Sequence, residues 1–548
     1  METLAQSAEI FQQTSRSQVS ARYVGYGLLT IVLLTTCIIR LHLRDIPLER
    51  DEGEYAYAGQ LMLQGVPPYK LAYNMKLPGT YVAYAAIMAV FGQTIAGIRL
   101  GVLIVNLLTI FLIFLLAKRF GGFVAGVAAA ASYALLSISP TVLGFCGHAT
   151  HFVVLPAIAG VLLLLEGLEQ NRSGMLFLSG LLFGLAFLMK QPGIMFAIFG
   201  FLYLLAVLAR RGVKKSRLAA TAGLFSLGAA VPFLLTCLVL WRAGVFGKFW
   251  FWTVSYASQY ASNYGLIAGG YFFKQTFGAI LWSSLGIWLI AILGAAVVGW
   301  DGGLRSNAGF VLGFTAFSFL AVCPGLFFRP HYFILLLPAT SLLVGIAVAS
   351  TTSMVGRSKR NRMWQYVPSA LLTLALAASF YSQRDFFLET DPVAACRAIY
   401  AGNPFPEAIP ISDYIREHTP ANATIAVLGS EPEIYFYSHR HSATGYIYTY
   451  GLMEEQKYAL QMQQQMISEI EASRPEMLVF VNLSTSWLPD LHSEQLIYTW
   501  ARKYIQDYYE PMGVVDVPIM QNDRLAGTAG SPDARPYSAI FLFKRKSS

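Results

Sequence analysis

Carboxylates are the first residues in this chain that could do chemistry. Five of them lie within ten residues, at Asp45, Glu49, Asp51, Glu52 and Glu54. Carboxylates this close together can serve as a general base or acid, or can bind a divalent cation. Two interpretations of Asp51 stay open, a catalytic carboxylate or a helix N-cap whose capping box is closed by Glu54. For Glu52 and Glu54 the alternative to catalysis is a solvated loop charge.

A lysine and a tyrosine belong to the same stretch. Lys76 opens the sequence Lys-Leu-Pro-Gly-Thr-Tyr, and a lysine at the membrane edge either binds a phosphate or snorkels to the interface. Tyr55 shares a helical face with Ala58 and Leu61, which predicts a short helix lying in the membrane interface.

Two histidines and a second lysine interrupt otherwise apolar sequence. His148 and His151 are three residues apart, so a helix would place both imidazoles on one face, as a metal site or a phosphate contact needs. The alternative is a pair of interfacial histidines that are hydrogen-bonded to water. Lys190 lies in a tight Lys-Gln-Pro-Gly hairpin, and a charge at membrane depth is costly and usually functional.

The last polar segment contains Arg329, His331 and Tyr332. A guanidinium suits an anionic oxygen because it can donate two parallel hydrogen bonds. The alternative for Arg329 is an anchor in the aromatic belt of a membrane protein. All three residues are candidate contacts of a lipid phosphate.

The composition indicates where these residues act. Of the 548 residues, 55% are hydrophobic and 13% are charged, and the mean hydropathy is +0.52, whereas soluble proteins carry roughly 25% charged residues. These values exclude a disordered chain, a small disulfide scaffold and an ordinary cytosolic enzyme, and they predict a polytopic α-helical membrane protein. The net charge of +9 is the usual bias of membrane proteins and no argument for nucleic-acid binding.

Eleven apolar segments predict membrane spans. They lie near residues 22–41, 97–117, 123–145, 150–166, 174–189, 193–209, 218–241, 276–300, 307–328, 331–350 and 365–383. The run Leu77–Phe91 is short and contains Pro-Gly near its start, so we expect an interfacial or re-entrant helix there. With the N-terminus inside, the basic clusters at 118–119, 210–217 and 357–362 also face inward, as the positive-inside rule requires. An odd number of spans places residues 384–548 outside.

This topology restricts where an outward-facing acid can come from. In the membrane part, outward carboxylates occur only between Asp45 and Glu54. Lys76, Lys190 and Arg329 reach the same predicted face, together with His331. A basic site beside a set of carboxylates suggests a lipid-phosphate substrate.

The C-terminal part alternates helix and strand patterns. Helices are predicted over Ile409–Thr419 and Met453–Ser473, and strands over Thr424–Leu428, Met477–Asn482 and Ala539–Lys544. The pattern indicates a small α/β domain with a central sheet. The loop after the first strand is where such sheets place ligands, but it lacks GxGxxG. Residues 435–450 are rich in Tyr and His, and either stack on a sugar acceptor or form core and docking contacts.

The first outer loop resembles that of the GT-C glycosyltransferases. Asp51-Glu52 with Tyr55, followed by Lys76-Leu77-Pro78-Gly79-Thr80-Tyr81, is similar to the bacterial relatives of the dolichyl-phosphate-mannose–protein mannosyltransferases and of the lipid A aminoarabinose transferase. The Lys190-Gln191 hairpin and the His331-Tyr332-Phe333 start of a span are similar as well. The resemblance covers roughly residues 20–383.

The resemblance implies a polyprenyl-phosphate-linked sugar donor and an acceptor on the outer face. Asp51, with Glu52 beside it as a second catalytic candidate, takes the place of the family's catalytic aspartate, and its implied role is that of general base toward the acceptor hydroxyl. Lys76 takes the place of the loop lysine, a phosphate contact. Lys190 and Arg329 are expected to stabilise the departing polyprenyl phosphate. Further candidates for substrate contact are Tyr55, His148 and His151.

Two departures from the family pattern bear on metal binding. The second outer loop has no acidic residue, and Met75 stands where the aminoarabinose enzymes carry an acid before the loop lysine. A divalent metal ligated by carboxylates is therefore not expected, whereas one held by Asp51 with a histidine stays open.

The predicted organisation is a cytoplasmic tail (1–21), a multi-span glycosyltransferase domain (22–383) with a catalytic first outer loop (42–96), and an extracytoplasmic α/β domain (384–548). The protein is expected in the cytoplasmic membrane, passing a sugar to a lipid, glycan or protein. The competing hypotheses are a transporter or flippase without catalytic power and an inactive scaffold. Transporters often carry inverted repeats, and the sequence shows no such repeat.

Overall fold

The structure is a computed structural model and describes residues 2–302, 304–357, 362–518 and 538–547. Most of these residues are in helices. The chain divides into two units. The first unit comprises Met1–Leu43, Val102–Leu234 and Tyr264–Leu388. The second unit comprises Arg44–Gly101, Leu235–Asn263 and Glu389–Ser548, so it joins the first loop to the C-terminal part.

The first unit is a helical bundle around an apolar core that includes Phe114, Ile158 and Phe314. Its helices are Glu2–His42, Ile95–Leu136, Ala149–Gln170, Ser173–Met189, Ile194–Arg210, Lys215–Arg242, Leu266–Ser283, Leu285–Trp300, Ala308–Leu320, Leu337–Arg357, Val367–Ser382 and Arg384–Phe387. Of these, Ile95–Leu136 begins and Lys215–Arg242 ends among the residues of the second unit. Helical turns of the 3₁₀ type lie at Pro140–Val142, Gln191–Gly193, Arg305–Asn307, Pro324–Leu326, Pro330–Leu335 and Arg362–Tyr366.

Seven helices of the described residues are long and apolar enough to cross a membrane. An eighth span results if Leu266–Ser283 and Leu285–Trp300, which are bent by 101°, are taken together. Gly79–Phe91 and Ser173–Met189 are apolar but shorter. The chain is therefore a multi-pass membrane protein. Each of the eleven predicted segments contains helix, but the count of eleven spans stays a prediction.

A glycine pair divides the long helical segment Ile95–Leu136 into two parts, which correspond to two of the predicted spans. Within Ile95–Leu136 the backbone leaves helical geometry at Gly121 and Gly122. Gly122 has φ of +67°, in the left-handed region that favours glycine. A Cβ on Gly121 would lie 2.7 Å from the Cβ of Ala349. The two glycines thus allow a sharp break between apolar segments 97–117 and 123–145.

Charged residues predicted to face inward meet one another in the first unit. Arg119 Nη1 donates to the Glu166 carboxylate at 2.8 Å, and Arg119 also pairs with Glu169. Arg211 donates to the carbonyl of Leu168 at 2.5 Å. Of the predicted 357–362 cluster, Lys359 and Arg360 lie outside the described residues.

The second unit contains many shorter helices. They are Arg50–Leu63, Gly79–Phe91, Phe246–Trp250, the π-helix Phe251–Tyr256, Ala257–Ala261, Pro392–Tyr400, Phe405–His418, Glu433–Ser438, Tyr450–Met453, Ala459–Ser473, Ser484–Trp487 and Leu496–Tyr508. We call Arg50–Leu63 the loop helix and Glu433–Ser438 the domain helix. The loop helix is buried along most of its length, from Glu52 to Leu61.

A five-stranded mixed sheet forms the C-terminal part of this unit. Its strands are β1 (Thr424–Leu428), β2 (His441–Ser442), β3 (Met477–Asn482), β4 (Tyr509–Asp516) and β5 (Ala539–Arg545), in the order β2-β1-β3-β5-β4. β1 pairs in parallel with β2 and β3, whereas β5 is antiparallel to both β3 and β4. The apolar run of β1 is buried, as expected for a central parallel strand.

The predicted α/β domain with its three strands is confirmed in type, with additions. β4 and the helix Leu496–Tyr508 were not predicted. The helix predicted over Met453–Ser473 is wrong in its first turns, because Tyr450–Met453 and Ala459–Ser473 are separate helices.

Candidate active site

The N-terminus of the loop helix is fixed by a capping box. The Glu49 carboxylate accepts from the backbone N–H of Glu52 at 3.0 Å, and the Glu52 carboxylate accepts from that of Glu49 at 3.4 Å. The predicted box of Asp51 and Glu54 is therefore wrong, since the motif lies two residues earlier. Asp51 is the second residue of the helix, and its side chain is not used as the cap.

Asp51, Glu54 and Lys76 form what we call the carboxylate–lysine cluster. Lys76 Nζ lies 2.7 Å from Asp51 Oδ1 and 2.6 Å from Glu54 Oε2. The Asp51 side chain is 24% exposed, whereas that of Glu54 is completely buried. One ammonium group therefore bridges two carboxylates, of which only Asp51 has access to solvent.

Three side chains donate hydrogen bonds to the Glu54 carboxylate. Its carboxylate accepts from Asn74 Nδ2 at 2.9 Å and from the Tyr81 hydroxyl at 2.5 Å, besides the Lys76 ammonium. Burial raises the pKa of Glu54, and the charge of Lys76 offsets part of that rise. Such a carboxylate positions Lys76.

Glu52 has a different partner, the buried Arg99, with which it forms an ion pair. Both side chains are nearly inaccessible to solvent. The alternative that Glu52 and Glu54 are solvated loop charges is therefore wrong, because each side chain is fully buried and paired. Glu52 is committed to Arg99 and to the capping box.

Lys76 is more than a snorkelling side chain. Its ammonium lies 4.6 Å from the ring centre of Tyr55 and 5.3 Å from that of Tyr448, both cation–π distances. Burial lowers its pKa, but the charges of Asp51 and Glu54 outweigh burial and raise that pKa above the ordinary value. Lys76 thus stays protonated at neutral pH.

The C-terminal part of the second unit contacts this cluster directly. The Tyr448 hydroxyl donates to Asp51 Oδ1 at 3.1 Å. One residue before Asp51, Arg50 donates to the carbonyl of Ser430 at 2.5 Å and pairs with Glu431 at 3.0 Å. The loop after β1, the predicted ligand position, therefore binds an arginine of the loop helix.

A second group of predicted residues meets in the first unit, and we call it the imidazole–lysine cluster: His148, Lys190, His331 and Tyr332. The rings of His148 and His331 stack at 4.1 Å. Tyr332 packs edge-on against His331, and the Lys190 ammonium lies 4.1 Å from the Tyr332 ring centre. Three predicted outer loops thus contribute to one cluster.

Two other predicted residues have separate roles. His151 lies next to the carbonyl of Gly144, with Nε2 at 2.8 Å, and is buried. Arg329 is exposed, and its guanidinium lies 5.8 Å from the ring centre of Phe327. This contact is of the kind that the aromatic-belt alternative predicts.

Sequence reasoning missed Arg99, Asn74 and the role of Tyr448. A signal existed for Arg99, since an arginine near the start of a long apolar run is usually functional or structural. Asn74 lies two residues before Lys76. For Tyr448 the sequence offered only its place in an aromatic segment.

Chemically, the carboxylate–lysine cluster combines a proton acceptor and a fixed positive charge. A solvent-accessible carboxylate can remove a proton from a hydroxyl within hydrogen-bond reach. An adjacent ammonium can stabilise developing negative charge. In this cluster Lys76 already supplies a cation to both carboxylates, and a metal held by Asp51 with a histidine stays a prediction.

Solved structures of other proteins, among them the following three, are similar to most of the chain. The crystal structure of ArnT from Cupriavidus metallidurans bound to undecaprenyl phosphate is 16% identical, with a TM-score of 0.59 over 94% of this chain and 97% of that one. The archaeal oligosaccharyltransferase AglB from Archaeoglobus fulgidus, in complex with an inhibitory peptide and a dolichol-phosphate, is 14% identical, with a TM-score of 0.51 over 85% and 70%. An Archaeoglobus fulgidus oligosaccharyltransferase tethered with an acceptor peptide is 12% identical, with a TM-score of 0.54 over 95% and 88%.

Part of the chain also matches a known family in sequence. The family model described as dolichyl-phosphate-mannose-protein mannosyltransferase matches residues 76–235, which begin at Lys76 and include His148 and Lys190. No curated protein matches the chain. The predicted fold class is confirmed: the chain has the GT-C fold, with a C-terminal α/β sheet, and carries a mannosyltransferase-like sequence pattern in its N-terminal half.

Proposed function

We propose that the protein is a membrane glycosyltransferase that moves a sugar from a polyprenyl-phosphate carrier to a hydroxyl of an acceptor on the outer face of the cytoplasmic membrane. The observation that carries the proposal is the carboxylate–lysine cluster, in which Asp51 alone is both partly exposed and paired with a protonated lysine. The GT-C fold, shared with proteins solved with undecaprenyl phosphate and dolichol-phosphate, supports the class of donor.

Asp51 acts as the general base in this proposal. The acceptor oxygen attacks the anomeric carbon, its proton passes to an oxygen of Asp51, and the bond between the anomeric carbon and the phosphate oxygen breaks. The electron pair of that bond leaves with the polyprenyl phosphate, which gains one negative charge. Glu52, bound to Arg99, and Glu54, fully buried, hold the helix and the lysine.

Positively charged side chains stabilise the negative charge that develops on the leaving phosphate. Lys76 serves this role beside Asp51. Lys190, whose ammonium lies over the Tyr332 ring, stays a separate predicted contact of the lipid phosphate. A preorganised ammonium stabilises developing charge without reorganisation during the reaction. Arg329, being exposed beside Phe327, is assigned to an interfacial anchor or to the entering donor.

The test is release of undecaprenyl phosphate by the purified protein in lipid nanodiscs. The donors are synthetic undecaprenyl-phosphate mannose, glucose, galactose and 4-amino-4-deoxyarabinose, with an outer-envelope extract as the acceptor source. Mass spectrometry follows undecaprenyl phosphate over time. Asp51→Asn should lower the rate about 10²- to 10⁴-fold, the contribution of a general base.

Asp45→Asn is the matched control, because Asp45 is another carboxylate of the same loop that pairs with Arg44 in an exposed position. It should keep the wild-type rate. A full rate in Asp51→Asn would contradict the base assignment. The transporter alternative requires movement of an intact donor across the bilayer with no release of undecaprenyl phosphate by the wild type.

A further inference from the structure

Tyr448 is the residue of the C-terminal part that reaches the carboxylate–lysine cluster. Its hydroxyl donates to Asp51 Oδ1 at 3.1 Å, the same oxygen that lies 2.7 Å from Lys76 Nζ. Its ring lies 5.3 Å from that ammonium. Two donors of different origin, Lys76 in the first loop and Tyr448 in the C-terminal part, thus converge on one carboxylate oxygen.

The backbone beside Tyr448 is anchored to the loop that binds Arg50. The Thr449 N–H donates to Ser430 Oγ at 2.9 Å, and the two hydroxyls lie 3.0 Å apart. The Ser430 carbonyl accepts from Arg50 Nε. Because Arg50 precedes Asp51, the contacts form a closed circuit from Arg50 through Ser430, Thr449 and Tyr448 back to Asp51.

We propose that Tyr448 is a positioning residue for the general base, so that the C-terminal α/β domain completes the catalytic centre. This inference rests on the proposed function. Two donors on one oxygen fix the plane of a carboxylate, and a phenol that stays protonated is a constant donor. Burial raises the pKa of the Tyr448 hydroxyl, and the negative charges of Asp51 and Glu54 add to that rise.

Tyr448→Phe is the test, because it removes one hydroxyl and keeps the ring beside Lys76. The expected result is a kcat roughly 10- to 100-fold lower, a KM for donor close to wild type, and an acidic limb of the kcat/KM profile moved to higher pH. The shift follows because a hydrogen bond to a carboxylate favours its charged form. A purely structural role would not move the pH profile.

Tyr446→Phe is the matched control. It lies two residues away and its hydroxyl donates to Gln465 Oε1 at 2.9 Å, so it loses a similar hydrogen bond outside the cluster. It should keep both the wild-type kcat and the wild-type pH profile. Equal melting temperatures of the two variants show that the Tyr448 effect is local.

A second readout does not depend on turnover. Carbodiimide, with glycinamide as the added nucleophile, modifies protonated carboxyl groups, and the Asp51 side chain is 24% exposed. Mass spectrometry counts both its glycinamide adduct and its cross-link to Lys76 across pH. In Tyr448→Phe the pH of half-modification should rise by roughly one unit, and in Tyr446→Phe it should not.

The outcomes separate the two proposals. An unchanged labelling midpoint and pH profile in Tyr448→Phe overturn the positioning role, even where Asp51→Asn is inactive and the proposed function holds. A raised midpoint supports the Tyr448–Asp51 contact, whereas a wild type that releases no undecaprenyl phosphate from any of the four donors would refute the proposed function.

Discussion

At the residue scale, Glu431 and Glu433 are both fully buried but are stabilised very differently. Glu431 pairs with Arg50 and accepts from the Ser486 hydroxyl at 2.7 Å. Neither carboxyl oxygen of Glu433 has a hydrogen-bond partner within the described residues. Burial, and then the charge of Glu431, raise the pKa of Glu433, with Arg50 opposing them. Glu433 is therefore a buried acid whose charged form is disfavoured.

Glu433→Gln should stabilise the protein at alkaline pH. A carboxyl group whose folded pKa lies above its ordinary value of 4.5 contributes stability that is complete below that value and is lost as the pH rises toward the folded pKa. The amide has no proton to lose, so the variant should melt a few degrees above wild type at pH 8 and close to it at pH 4.5. Thermal unfolding in detergent at both values measures this.

Glu431→Gln is the control at the neighbouring site. It removes the charge that pairs with the largely buried Arg50, and breaking a buried pair is destabilising by about 3–5 kcal/mol. This variant should melt below wild type at pH 8. A lower melting temperature for both variants would show that Glu433 is charged and stabilising.

At this scale the sequence predicts where along the chain the carboxylates and Lys76 lie. It does not predict that their side chains are buried. The scarcity of outer acids pointed to residues 45–54. The partners that bury Glu52 and Glu54, Arg99 and Tyr81, lie tens of residues away, so no local pattern reveals them. The capping box was misplaced because Glu49 and Asp51 each have an acid three residues later, and only backbone geometry distinguishes them.

At the element scale, a glycine sets how closely the loop helix packs against the domain helix. A Cβ built on Gly53 would lie 2.7 Å from both the backbone N and the Cβ of Glu433, closer than such atoms approach in real structures. Gly53 lies between Glu52 and Glu54 on the loop helix. Its close packing against the domain helix therefore also fixes the position of Asp51 relative to the C-terminal part.

Gly53→Ala should therefore destabilise the second unit, although alanine is the better helix former by about 1 kcal/mol. Overpacking of this kind typically costs about 1–3 kcal/mol. The variant should melt lower and release undecaprenyl phosphate more slowly. Gly247→Ala is the matched control, because a Cβ there would meet nothing within 4 Å, and it should be neutral or slightly stabilising. Wild-type melting of Gly53→Ala would show that the helices can separate at little cost.

Element existence was easier to predict than element boundaries. Apolar length identifies the long helices, and the β-branched runs identify β1 and β3. The charged and Pro-containing β4 has no alternating pattern, and its pairing with β5 across residues 519–537 is decided by tertiary contacts. Residues 276–300 contain no proline that would indicate the bend at Ser284, so the sequence predicts an uninterrupted span there.

At the scale of the whole molecule, the second unit constrains the topology. Tyr73 of the first loop stacks on Trp252 at 5.7 Å, and the Tyr256 hydroxyl donates to Glu454 at 2.7 Å. The first loop, residues 235–263 and the C-terminal part are thus in direct contact, so we infer that they lie on one side of the membrane. The chain must then cross an even number of times between these segments, which agrees with six predicted spans and then four.

A cysteine-accessibility experiment tests this parity. The native Cys396 is a poor reporter because it is buried and burial raises its thiol pKa to about 12. In a background with all five cysteines replaced, Leu491→Cys lies in the second unit at a position 98% exposed, and Lys214→Cys lies at an exposed position of the 210–217 basic cluster. The predicted spans give an odd number of membrane crossings between positions 214 and 491, so the two cysteines should lie on opposite sides of the membrane. A membrane-impermeant maleimide should therefore label Leu491→Cys in intact cells and Lys214→Cys only after lysis. Labelling of both in intact cells would require an even number of crossings after residue 214, and the α/β domain would then lie on the side of the basic cluster.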